Sequence, residues 1–129
     1  MHNGLSKTRY ATRGHRAWTS GMMAETIAEA ALSASGASIL LRRARTSCGE
    51  VDLVVQQTSE LCFVEVKQRP TWAEAMEALT HRQQHRIIKA AEIILANHPE
   101  WDYESISFDL VAVNNTGAAR RIKNAFWLD

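Results

Sequence analysis

Two strand-like segments in the middle of this chain carry acids where a buried strand would take apolar residues. The first is Cys48-Gly49-Glu50-Val51-Asp52-Leu53-Val54-Val55, the second Leu61-Cys62-Phe63-Val64-Glu65-Val66-Lys67. Side chains alternate between the faces of a strand, so Glu50 and Asp52 share one side of the first, and Phe63, Glu65 and Lys67 share one side of the second. The polar link Gln57-Thr58-Ser59-Glu60 is short enough to fold the two into an antiparallel hairpin. That hairpin brings Asp52 and Glu65 within reach of one ion. Hydrolysis of a phosphodiester needs a nucleophilic water, neutralised charge at phosphorus and help for the leaving oxygen, and a divalent ion supplies all three. Magnesium accepts oxygen ligands and keeps several of its waters, so one or two carboxylates and a substrate phosphate suffice. Lys67 lies about 7 Å beyond Glu65 on the same face, where its arm can bend back to the scissile phosphate or the attacking water. The Val66 carbonyl is a further available ligand. Alternating polar residues are also the ordinary outer face of an antiparallel sheet. Here, however, Asp52 precedes the apolar run Leu53-Val54-Val55 and Glu65 is enclosed by Phe63-Val64 and Val66, which puts both acids at the margin of a core, where carboxylates need a partner.

Several elements must position these residues. Residues 1–20 show no hydrophobic period and read as a basic, disordered arm, leaving residues 21–129 as a single domain. Helical spacing begins at Gly21, with Met23, Ile27, Ala30 and Ala31 on one face and Gly36 placed to end the helix. Ile39-Leu40-Leu41 reads as a short strand, followed by the basic run Arg42, Arg43 and Arg45, and then the acidic hairpin. Pro70 stops the second hairpin strand. Trp72 to Leu79 suits a short helical turn, and Thr80 caps a longer helix from His81 to Asn97. On that helix Gln84, Ile87, Ile88, Ala91, Ile94 and Leu95 form a docking stripe, with Arg82, Arg86 and Lys89 opposite. Ile106 to Val113 is a mostly buried strand holding Asp109, and Ala125-Phe126-Trp127-Leu128 is an edge strand or an apolar latch. The order of elements predicts an α/β domain, a mixed β-sheet flanked by helices.

Composition narrows the classes. With 129 residues, 46% apolar and 22% charged, the chain is an ordinary globular domain, and no apolar run approaches the roughly 20 residues of a membrane span, so no membrane partner is expected. The net charge of +1 conceals an asymmetry, since no acid precedes Glu25 while Lys7, Arg9, Arg13 and Arg16 do. Cys48 and Cys62 make neither a disulfide framework nor a zinc cluster, which predicts a reducing, cytoplasmic compartment. The N-terminal segment lacks the apolar stretch of a secretory signal, although its Arg, Ser and Thr content also resembles an organelle transit peptide.

Four segments, Gly21-Met22-Met23-Ala24-Glu25, Gly49-Glu50-Val51-Asp52-Leu53-Val54, Phe63-Val64-Glu65-Val66-Lys67-Gln68-Arg69 and Phe108-Asp109-Leu110-Val111, resemble in order and spacing the small bacterial YraN family. That family is similar to the PD-(D/E)xK nucleases, with Holliday-junction resolvases as distant relatives. The resemblance spans residues 20–127. It implies a restriction-endonuclease-like fold, a magnesium or manganese cofactor, and a DNA substrate, branched or repair-related. It makes Asp52 and Glu65 the metal carboxylates, Lys67 the catalytic lysine, and Glu25 a further metal and catalytic acid delivered by the first helix. One departure is Gln83, where relatives commonly carry a lysine near the Thr80 cap.

Arg82, Arg86 and Lys89 could follow a nucleic-acid backbone, and with Arg69 and Gln83 they are the expected nucleic-acid contacts. His81 and His85 have a spacing zinc can use, without a third ligand nearby. Trp72 suits either loop packing or a stacked base, Trp18 lies in the arm, and Trp101 and Trp127 are expected in the core or an interface. Two functional classes follow: a metal-dependent endonuclease, or a non-catalytic nucleic-acid-binding or scaffold module that keeps the fold. A purely structural interaction protein, docking through Phe126-Trp127-Leu128, is a third. A two-fold homodimer would suit a symmetric junction.

Overall fold

A five-stranded mixed sheet forms the centre of the protein, with strands in the order β1-β2-β3-β4-β5. The computed structural model describes residues 13–127, with side-chain surroundings from residue 23 onward. In chain order the elements are α1 (Arg13–Ala34), β1 (Ser38–Thr46), β2 (Gly49–Gln57), β3 (Glu60–Gln68), α2 (Trp72–Glu77), α3 (His81–Asn97), β4 (Ser105–Val113) and β5 (Ala119–Ile122). Neighbouring strands are antiparallel except β3 and β4, which run parallel because the α2–α3 connection carries the chain back to the start of the sheet. The expected α/β domain with helices flanking a mixed sheet is the one observed.

Each face of the sheet has its own core. On one, Val51, Val54, Leu61, Phe63 and Leu110 meet Ile87, Ile88, Ala91 and Ile94 of α3. On the other, Leu53, Val55, Val64, Val111 and Val113 meet Ala24, Ala28 and Leu32 of α1. The inward stripe of α1 is thus Ala24, Ala28 and Leu32 at i, i+4 and i+8. Met23, Ala30 and Ala31, expected on that face, are exposed. Small residues at these positions let the helix backbone lie close to the sheet, a contact that hydrophobicity counts undervalue. α1 starts at Arg13 rather than Gly21, so the last part of the predicted arm carries helical backbone; residues 1–12 lie outside the described residues, as does Leu128. Gly36, at φ 100°, ends α1 as expected, with the Ala37 N–H reaching back to the Leu32 carbonyl at 3.1 Å.

The expected hairpin forms, with Thr58 and Ser59 alone as its turn and Thr58 in the left-handed region at φ 56°. β1 is longer than Ile39–Leu41 and absorbs the basic run. As an outer strand with one edge unpaired it tolerates charged side chains that a central strand would not. The far edge is β5, Ala119-Arg120-Arg121-Ile122, and Ala125-Phe126-Trp127 forms no strand. Phe126 acts as a latch, packed on Phe108 with ring centroids 5.3 Å apart. Thr80 caps α3 by accepting the Gln83 N–H at 3.2 Å.

Candidate functional site

The middle of the sheet comes apart at the acids. Backbone pairing between β2 and β3 extends only to Leu53↔Val64. Beyond it, the Val66 N–H is taken by the Asp52 carboxylate, at 2.8 Å from Oδ2. A side chain thus replaces a strand carbonyl in the ladder. Val51 packs on the α3 side and Leu53 on the α1 side, although residues two apart on a regular strand share a face. The pleat therefore breaks at Asp52. Across the sheet, Arg43 lies between the pairs Arg42↔Leu53 and Ala44↔Val51, at φ 50°. That conformation costs a non-glycine residue about 1–2 kcal/mol.

Glu65 lies on the α3 side of β3, only 7% exposed. Its Oε2 accepts from Gln83 Nε2 at 2.9 Å and sits 3.5 Å from Lys67 Nζ. Burial, the negative charge of Asp52 and a hydrogen bond between the two carboxyls push the Glu65 pKa up to about 8, against a smaller downward pull from Lys67. Asp52 is also shifted upward, chiefly by burial, while the Val66 N–H acts the other way; Glu25 and Glu50 add like-charge repulsion. Both shifts favour a proton on this pair and oppose two full negative charges side by side. The two carboxyls are neighbours across the hairpin, each acting on the other's charge.

Glu25, on α1, is half-buried and held by Arg43, Nε to Oε1 at 3.0 Å. Glu50 is exposed and pairs with Arg45 at 3.0 Å. Among the described residues no group of three His, Cys, Asp or Glu side chains gathers tightly enough to hold an ion, so Glu25 stands in an outer position and does not close a three-carboxylate cage. The inner pair of oxygen donors still fits a hard cation that retains waters and takes the rest of its ligands from a phosphate.

The expected nucleic-acid residues divide. Gln83 turns inward to Glu65 and belongs to the acidic site. Arg82, Arg86 and Lys89 are exposed on α3 and line an open depression of about 480 Å³ together with Cys48 and His85. Arg69, at the end of β3, is exposed, with its guanidinium on the Gln68 carbonyl. The β1–β2 turn reaches this depression because Gly49 approaches α3, where an added Cβ would lie 3.5 Å from the Arg86 Cβ.

Sequence reasoning missed three partners. Arg43 was read only as surface charge, and nothing local announced its pairing with Glu25. The reach of Gln83 to Glu65 depends on the docking of α3. The third is Arg121, which donates to the fully buried Asp109 from Nε at 3.2 Å and Nη2 at 3.0 Å. An acid in the run Phe108-Asp109-Leu110-Val111 needs a partner, and that requirement was the available signal.

Fold and site together define an α/β domain in which two adjacent central strands diverge around paired carboxyls, a lysine and a glutamine. The chain belongs to the uncharacterised protein family UPF0102, the YraN family, whose profile matches residues 24–113. It is 49% identical to a UPF0102 protein of Granulibacter bethesdensis over 91% of this chain and 74% of that one. It is 44% identical to a UPF0102 protein of Azorhizobium caulinodans, over 91% and 89% of the two chains. A third relative, from Rhodopseudomonas palustris, is 42% identical over 85% of each chain. Among the described residues no helix is long and apolar enough to cross a membrane.

Proposed function

We propose that this protein is a magnesium- or manganese-dependent endonuclease acting on DNA, with Asp52, Glu65 and Lys67 at its centre. The observation that carries the reading is the pair of half-buried Asp52 and buried Glu65 at a strand divergence beside Lys67. A divalent cation held by these two carboxyls would activate a water and neutralise charge on the scissile phosphate. The chain's own residues prepare that site. The Val66 N–H fixes Oδ2 of Asp52 and so orients the carboxyl toward Glu65. Gln83 orients the Glu65 carboxyl through its amide without adding charge. Lys67, mostly buried, directs its ammonium at the same point, where it can stabilise negative charge developing on the phosphate. Arg82, Arg86 and Lys89 supply cations along the outer face of α3 for flanking phosphates.

The test is cleavage of labelled duplex, single-stranded and four-way-junction DNA with magnesium or manganese. Asp52→Asn and Lys67→Ala are each expected to lower the rate about a hundredfold or more. Absence of cleavage of every form by the native protein, with DNA binding intact, would instead support a binding module that keeps the fold. The presence of Gln83 where relatives commonly carry lysine favours that second reading.

A further inference from the structure

Trp127 was expected in a core or interface, yet among the described residues it is the most exposed large hydrophobic, at 55%. Its backbone is anchored by Phe126, which is buried against Phe108, so the indole is presented from a fixed point. It forms one wall of a groove of about 330 Å³ between α3 and the C-terminal segment, with Ile88 and Phe126 as apolar surface and His81, Gln84 and His85 as polar edge. His85 also lines the adjoining basic depression of Arg82, Arg86 and Lys89. An aromatic wall, hydrogen-bonding edges and a row of cations thus meet at one residue. None of the residues lining either groove is acidic. The groove at the other end of the sheet is the reverse, containing Glu100, Asp102 and Glu104, and would repel a phosphate backbone.

We infer that the Trp127 groove is a base-stacking subsite for a single-stranded stretch of nucleic acid whose phosphates lie along Arg82, Arg86 and Lys89. The inference rests on the nucleic-acid reading proposed above and specifies the form of substrate. Bases within a duplex are stacked on each other and offer no free face to an indole, whereas an unpaired base does. The volume is of the size that encloses a small planar ligand. α3 connects this subsite to the acids, since Gln83, one residue from Arg82 and Gln84, contacts Glu65. The subsite and the proposed metal centre thus both border the first turns of α3, and the substrate is DNA with an unpaired segment, such as a flap, gap or branch.

The experiment is equilibrium binding of a fluorescent oligo-dT, an oligo-U of the same length and a duplex of equal length, in EDTA so that neither metal nor cleavage enters. Trp127→Ala should weaken oligo-dT about tenfold and leave the duplex within about twofold, while Trp127→Phe retains most of the affinity. Arg86→Ala should weaken both and reduce the salt dependence by about one released counterion. Equal affinity of oligo-dT and oligo-U would extend the subsite to RNA, and weaker oligo-U would restrict it to DNA; both outcomes keep the proposal, provided Trp127→Ala selects against the single strand. Unchanged single-strand affinity in a folded Trp127→Ala, or equal loss on duplex and single strand, would overturn the stacking subsite while leaving the endonuclease reading intact. No binding of any nucleic acid by the native protein, in EDTA or with magnesium, would overturn both.

Discussion

Two clusters of buried acid flank the same pair of strands, and they are built on opposite principles. At Asp109, no atom of which is exposed, Arg121 donates from two nitrogens, the Asn124 N–H donates to Oδ1 at 3.0 Å, and Lys123 stands 3.8 Å away. Charge is matched and the acceptors are occupied. At Asp52 and Glu65 the partners are a backbone N–H, a neutral amide and one lysine, and the carboxyls press on each other. The first arrangement is satisfied by the fold alone and ties β5 to β4. The second sets two carboxyls against one lysine, a shortage of fixed positive charge that suits the proposed cation. Burial of an acid therefore does not mark function; the charge balance around it does.

The largest expected effect tests the satisfied cluster. Arg121→Met strands the Asp109 carboxylate in the interior with less than its full set of partners, and should destabilise the protein by about 3–5 kcal/mol in urea or thermal denaturation. Replacing Glu65 should do the opposite under alkaline conditions. Its pKa rises from 4.5 to about 8 on folding, so the fold takes up a proton between those values. The resulting stabilisation is full below pH 4.5 and is lost as pH rises through about 8. Glu65→Gln cannot ionise and should be more stable than the native protein at pH 9 by several kcal/mol without divalent ions, with a flatter pH profile. Equal stability of the two proteins at pH 9 would remove the contrast between the clusters.

Gln83→Lys sharpens the comparison further. It places a cation on Glu65 and should lower that carboxyl's pKa, recovering about 1 kcal/mol of alkaline stability as read from the same denaturation profiles. The smallest effect belongs to the exposed Arg45–Glu50 pair. Arg45→Ala should change stability by under about 0.5 kcal/mol, as surface pairs generally do.

What the sequence disclosed was local. α3 was legible from its cap at Thr80 and its apolar period, and the acid hairpin from alternation and a short polar link, since both follow from residues near in the chain. Of the candidate site, the placement of Asp52, Glu65 and Lys67 on two strands of one hairpin was legible, because all three lie near in the chain. Beyond that, periodicity failed for identifiable reasons. The pleat break at Asp52 and Arg43 reverses the alternation on which the face assignment rested. β5 is too short and polar to read as a strand, and becomes one because Arg121 reaches Asp109 from it. Trp127 reads as core or interface by residue type alone, and Phe126, buried against Phe108, takes the core position while the indole is exposed.

The central claim is that the Asp52–Glu65 pair exchanges its proton for a divalent cation. Calorimetric titration of manganese at pH 7, repeated in buffers of different ionisation enthalpy, measures that exchange directly. The account predicts binding with release of close to one proton per ion, abolished in Asp52→Asn. Binding with no proton release, or binding that survives Asp52→Asn unchanged, would contradict it.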